Sequence, residues 1–103
     1  MEKLIAGKAV DVNAEGYLTK PEEWTEAIAE EIATQEQVGP LGTRHWEVLR
    51  YLRDQQLKGS ALSIRGIGKS GVVDIKTFYE LFPNGPLKKA SKIAGIPKPA
   101  SCI

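Results

Sequence analysis

The stretch from Asp74 to Ile103, "DIKTFYELFPNGPLKKASKIAGIPKPASCI", decides how this chain is to be read. Asp74 is a good helix cap, and Ile75, Phe78, Tyr79 and Phe82 follow at the i, i+3, i+4, i+7 spacing of one helix face. The pattern predicts a helix that buries those four side chains and stops before Pro83. Asn84-Gly85 is a turn, and Pro86 suits the first turn of a helix, where its missing N–H costs nothing. A further helix therefore runs from Pro86 to Gly95, with Leu87, Ala90, Ser91 and Ala94 as its inner stripe and Lys88 and Lys92 outside. Beyond Gly95, two prolines in the last eight residues forbid a continued helix and favour a polyproline-like path. Such a path spans roughly 25 Å at about 3.1 Å per residue. The single cysteine, Cys102, lies near the end of that arm, one residue from the C-terminus.

Reading back from Asp74, three further helices are expected. Thr19 and Glu22 have the spacing of a capping box with Pro21 in the first turn, which predicts a helix from there to about Val38, where Gly39-Pro40 breaks it. Its core face would be Trp24, Ala27, Ile28 and Ile32, and its acidic face Glu23, Glu26, Glu30 and Glu31. Thr43 can cap the next helix, which runs to about Gln56 with His45, Val48, Leu49 and Leu52 on one stripe, Trp46 beside it, and Gly59 closing it. A short helix around residues 60–68 is loosened by Gly66, Gly68 and Gly71. At the N-terminus, short apolar runs broken at Gly7 and between Asn13 and Gly16 predict one or two hairpins. The fold class is thus mainly α: a small bundle of about five helices with an N-terminal β-hairpin and a flexible C-terminal arm. Residues 1–95 form the domain, and 96–103 the arm that carries the cysteine.

At 103 residues the chain holds one modest core and no cleft between domains. Its 42% hydrophobic and 26% charged residues are those of an ordinary globular chain. No apolar run approaches a membrane span. The opening "MEKLIAGKAV" has an acidic residue and no long apolar core, so it does not read as a signal peptide, and a cytoplasmic location is expected. One cysteine cannot form an internal disulfide, and with one histidine it cannot build a cysteine-rich zinc site, so neither metal nor cofactor is implied.

The formal net charge of +1 conceals an asymmetry. Residues 1–40 set three lysines against nine carboxylates, and residues 41–103 set eleven basic side chains against four. Either the basic half has an anionic partner, nucleic acid included, or the two halves pair with each other and with solvent.

Cys102 is the strong nucleophile of the chain, and a thiol at a chain end reaches into a partner's active site where a core thiol cannot. Lys98 is four residues away and the terminal carboxylate, which disfavours the thiolate, only one. Activation is therefore expected from a partner. His45, on an apolar stripe with no second histidine, reads as a hydrogen-bonded core or boundary residue, not a base. "RGIGKSG", residues 65–71, lacks the spacing of a phosphate loop and reads as an interhelical turn, although Arg65, Lys69 and Lys76 could touch phosphates. A helix-turn-helix reading needs a run of polar base-reading side chains on an exposed face, and no helix displays one clearly.

"LFPNGPLKKASKIAGIPKPASC", with "GYLTKPEEW" and "RHWEVLRYLR", resembles the DsrC/TusE family: the gamma-subunit-like partner of dissimilatory sulfite reductase and the tRNA-thiolation relay protein. The resemblance covers nearly the whole chain and is most specific in its C-terminal part. It implies a small helical bundle with an N-terminal hairpin and a C-terminal arm, and it implies that Cys102 carries sulfur as a persulfide. It also implies that members working with sulfite reductase place a second cysteine where this chain has Ser91, which allows them an internal disulfide closed to this chain.

The expectation is a sulfurtransferase-type carrier and not a stand-alone enzyme. Its partners would be a persulfide donor protein and an acceptor, either a tRNA thiolase, with possible indirect tRNA contact, or a sulfite reductase. Lys88, Lys92 and Lys98 would meet an acidic or phosphate-lined entrance, or stand as solvated surface. A DNA-binding regulator is the remaining alternative, and it would need no thiol.

Overall fold

The computed structural model describes residues 1–60 and 62–98, so Cys102 and the rest of the arm beyond Lys98 lie outside the described residues. Two strands, β1 (Glu2–Ile5) and β2 (Lys8–Asp11), form an antiparallel hairpin with Ile5 opposite Lys8. Its two-residue turn, Ala6-Gly7, has positive φ at both positions, the geometry that matches the twist of paired strands. The second expected hairpin shrinks to a single bridge between Val12 and Leu18, where Asn13 Oδ1 accepts the N–H groups of Glu15 and Tyr17. The hairpin buries Ile5 and Val10 beneath the helices.

Among the described residues five α-helices follow: α1 (Glu26–Gln35), α2 (Thr43–Leu57), α3 (Ile64–Lys69), α4 (Ile75–Leu81) and α5 (Pro86–Ile93). The expected start of the first helix is corrected. Pro21–Glu23 makes only one 3₁₀ turn, Trp24 is extended, and Thr25 is the true cap, its Oγ1 accepting the Ile28 N–H at 3.2 Å. Thr19 instead donates to the Asp11 carboxylate. Starting later also shifts the buried face: Ala27 is exposed, while Ile28, Ala29, Ile32 and Ala33 face inward, the two alanines allowing α1 to lie close to α5. The helix ends at Gln35, before the expected Val38, because Gln37 takes a left-handed φ of 62° and the Val38 N–H turns back to Ala33 O.

The α4 stripe holds only in half. Phe78 and Phe82 are fully buried, with ring centroids 5.7 Å apart, but Ile75 and Tyr79 remain 43% and 44% exposed. This helix packs mainly against α3 and α5, and Ile75 rests on the backbone at Gly68, where a β-carbon would approach within 2.7 Å. Gly66 and Gly68 thus lie inside a capped helix, not a turn: Ser63 Oγ accepts the Gly66 N–H at 3.0 Å. Helix α5 is the centre of the bundle, touching α1, α2 and α4 and burying Leu87, Ala90, Ser91 and Ile93. Each fully buried large apolar side chain contributes about 1.5–3 kcal/mol.

Candidate functional site

The root of the arm is built first by α5 itself. Ala94 caps the helix, Gly95 turns left-handed at φ 70°, the Gly95 N–H donates to Lys92 O and the Ile96 N–H to Ser91 O, both at 3.2 Å. This is a Schellman closure, and the apolar residue that follows the glycine belongs inside. Ile96 is accordingly 1% exposed and part of the core, so the first residue of the expected arm is tied down. Pro97 and Lys98 are exposed.

Two side chains from elsewhere then take the carbonyls that end α5. Trp24 Nε1–H donates to Ile93 O at 2.8 Å, and Arg53 on α2 donates through one nitrogen to Ala94 O at 2.8 Å and through the other to Pro21 O at 3.1 Å. The guanidinium lies 4.2 Å from the Trp24 ring centroid, a cation–π stack. Burial lowers the Arg53 pKa from its ordinary value, yet guanidinium remains charged at neutral pH. Trp24 occupies the space a side chain on Gly95 would need. The sequence reading placed Trp24 on a helix face and passed over Arg53. The available signal was its spacing of four from buried Leu49, which brings a charged head toward the core side of α2.

Of the lysines expected at the site, Lys88 and Lys92 lie on α5 beside a cleft of about 220 Å³ lined also by Glu15, Tyr17, Glu36 and Lys89, while Lys98 lies beyond the helix. Lys92 Nζ pairs with Glu36 at 3.3 Å and sits 5.5 Å from the Tyr17 ring centroid. Lys98 Nζ pairs with Glu15 at 2.9 Å. Lys89, unremarked in the sequence, donates to Glu36 O at 3.0 Å. Lys88 is exposed and forms no ion pair among the described residues. Together with Arg50–Glu26, these bridges join the acidic N-terminal part to the basic C-terminal part, so part of the charge asymmetry is answered within the molecule.

Ser91 is 0% exposed, and its Oγ has no hydrogen-bond partner among the described residues. His45 is structural: Nδ1 accepts the Gly42 N–H at 3.1 Å, Nε2 lies 3.1 Å from Leu81 O as donor, and the ring meets Phe82 edge-on. Among the described residues no cluster of three metal-ligating side chains occurs, and no helix is long and apolar enough to cross a membrane. The outward side of α4 shows Ile75 and Tyr79, not a polar base-reading run.

A family model described as "DsrC like protein" matches residues 4–103. The sulfurtransferase TusE of Escherichia coli (strain K12) is 38% identical over 108 aligned residues, covering 97% of this chain and 98% of its own. The oxidized gamma-subunit of the dissimilatory sulfite reductase (DsrC) from Archaeoglobus fulgidus superposes with a TM-score of 0.78 at 38% identity, covering 100% of both chains. DsrC from Allochromatium vinosum does so with a TM-score of 0.80 at 32% identity, again over 100% of both. Matched from Leu4 to its last residue by the family model and along nearly all its length by these relatives, the chain belongs to the DsrC-like family.

Proposed function

We propose that this protein is a cytoplasmic sulfur carrier that holds one sulfane sulfur as a persulfide on Cys102 and passes it to an acceptor enzyme, a tRNA thiolase in first place. One observation carries the reading: relatives matched along almost the entire chain are sulfurtransferases by name, and the only thiol available to hold sulfur is Cys102. In loading, the Cys102 thiolate attacks the outer sulfur of a donor persulfide. A new S–S bond forms on Cys102, the donor's S–S bond breaks, and the donor leaves as a thiolate. In delivery, an acceptor nucleophile takes that outer sulfur and Cys102 returns to the thiolate. Ser91 supplies no second thiol, so release by internal attack is closed and the acceptor must do the work. Lys88 is open to an acidic or phosphate-lined entrance, whereas Lys92 and Lys98 would have to exchange glutamate partners to meet one.

The likeness to sulfite reductase gamma-subunits favours a second reading, in which the loaded arm serves a sulfite reductase through intermolecular chemistry. Co-purification with a tRNA thiolase or with sulfite reductase subunits separates the two. The carrier reading itself is tested by incubation with inorganic polysulfide: the protein should gain the mass of one sulfur atom, mapped to the C-terminal peptide. Cys102→Ala should abolish the gain. A wild type that refuses sulfur from polysulfide and from protein persulfide donors alike overturns the carrier.

A further inference from the structure

We propose that Arg53 and Trp24 are positioning residues for sulfur transfer: they clamp the last turn of α5 so that the chain leaves Ile96 in one direction, along the side that carries Tyr17 and Glu15. This rests on the carrier reading of Cys102. The Schellman closure seats Ile96 through one glycine and two backbone bonds of 3.2 Å, all made within α5 itself. The clamp adds two shorter bonds of 2.8 Å to the same turn, and a third, from Arg53 to Pro21 O at 3.1 Å, ties α2 to the Pro21–Trp24 loop. Its geometry is specific to these residue types. A planar guanidinium spans two carbonyls of different segments with its carbon over an indole, 4.2 Å from the ring centroid, which a lysine ammonium on the same stem cannot do.

The direction so set is visible two residues later. Lys98 reaches Glu15, 83 positions earlier in the chain, and Lys92 lies against Tyr17 and Gly16 on the same side. An arm that starts from a fixed turn presents its end to a partner from a restricted set of directions, which lowers the ordering cost of docking. An arm that starts from a loose turn samples many more.

The sole thiol allows the test. A nitroxide placed on Cys102 of the full chain should broaden amide resonances in a confined set around residues 15–17 and 88–92. In Arg53→Met, and in Trp24→Phe, which keeps an aromatic ring but loses the Nε1–H donor, that set should lose its confinement and spread over the surface. Arg53→Lys should not restore it. In the unlabelled variants, loading by inorganic polysulfide should stay at the wild-type rate, since a small reagent needs no docking. A folded Arg53→Met or Trp24→Phe protein with the wild-type broadening pattern overturns the proposal, as does a wild type whose broadening is already diffuse. Failure of the carrier reading shows separately, as refusal of sulfur by unlabelled wild type, and leaves the broadening experiment intact.

Discussion

A β-carbon on Gly95 would lie 2.3 Å from Cδ1 of Trp24, closer than any two such carbons can approach. Residue 95 also stands at φ 70°, where a side chain is strained even with room around it. The indole cannot retreat without giving up its hydrogen bond to Ile93 O. Gly95→Ala is therefore expected to cost about 2–4 kcal/mol, combining backbone strain with overpacking. A urea titration reads this directly, and a midpoint within error of wild type would show that the last turn of α5 adapts freely.

Gln37 presents the opposite case. It holds a left-handed φ of 62° at the end of α1, where glycine is the usual occupant, and its side chain is exposed. Gln37→Gly should stabilise the protein by roughly 0.5–1 kcal/mol, because relief of left-handed strain outweighs the added freedom of the unfolded chain. Differential scanning calorimetry should record a higher Tm.

Ser91 buries a hydroxyl that nothing among the described residues satisfies. Ser91→Ala should be neutral or stabilising by up to about 1 kcal/mol, since removing an unpaired buried polar group ends its desolvation cost. Ser91→Cys tests the match to two-cysteine relatives. Under mild oxidation it should give a cross-linked monomer with Cys102, provided the arm brings the two Cα atoms within roughly 7 Å. A thiol at position 91 is inaccessible to other molecules, so oxidation that yields only dimers would come through Cys102 and would rule out internal bridging.

Acid should loosen α4 through its cap. Hydrogen bonding from Thr77, first through its side chain and then through its backbone N–H, lowers the Asp74 pKa from the ordinary 3.8. A depressed folded pKa means the capping contribution is complete above the ordinary value and is lost as pH falls through the folded one. Asp11 follows the same sign, its pKa lowered first by the bond from Thr19 and then by the N-terminal ammonium. Asp74→Asn keeps an acceptor for the Thr77 N–H and removes the titration. The stability difference between wild type and this variant, followed by thermal melting, should therefore move toward the variant only below about pH 4.

What local sequence determined here is the part of the structure that local chemistry controls. Asp74 capping α4, Pro86 opening α5, Gly59 and Gly95 closing α2 and α5, and the inner stripe of Leu87, Ala90, Ser91 and Ala94 follow from capping groups, restricted φ angles and the 3.6-residue period, all of which act within a few residues. The position of the only thiol was equally legible. Tertiary structure alone decided the rest. Trp24 left the helix it was assigned to because Ile93 O and Gly95, some seventy positions later, offered its indole a seat; Tyr79 and Ile75 stayed half-exposed because no element among the described residues covers that side of α4; and Lys92 and Lys98 turned to Glu36 and Glu15 instead of outward. Periodicity states which side chains share a face, but the cover that face receives, and the partner a long charged side chain reaches, depend on where distant segments are brought by the burial of the whole core.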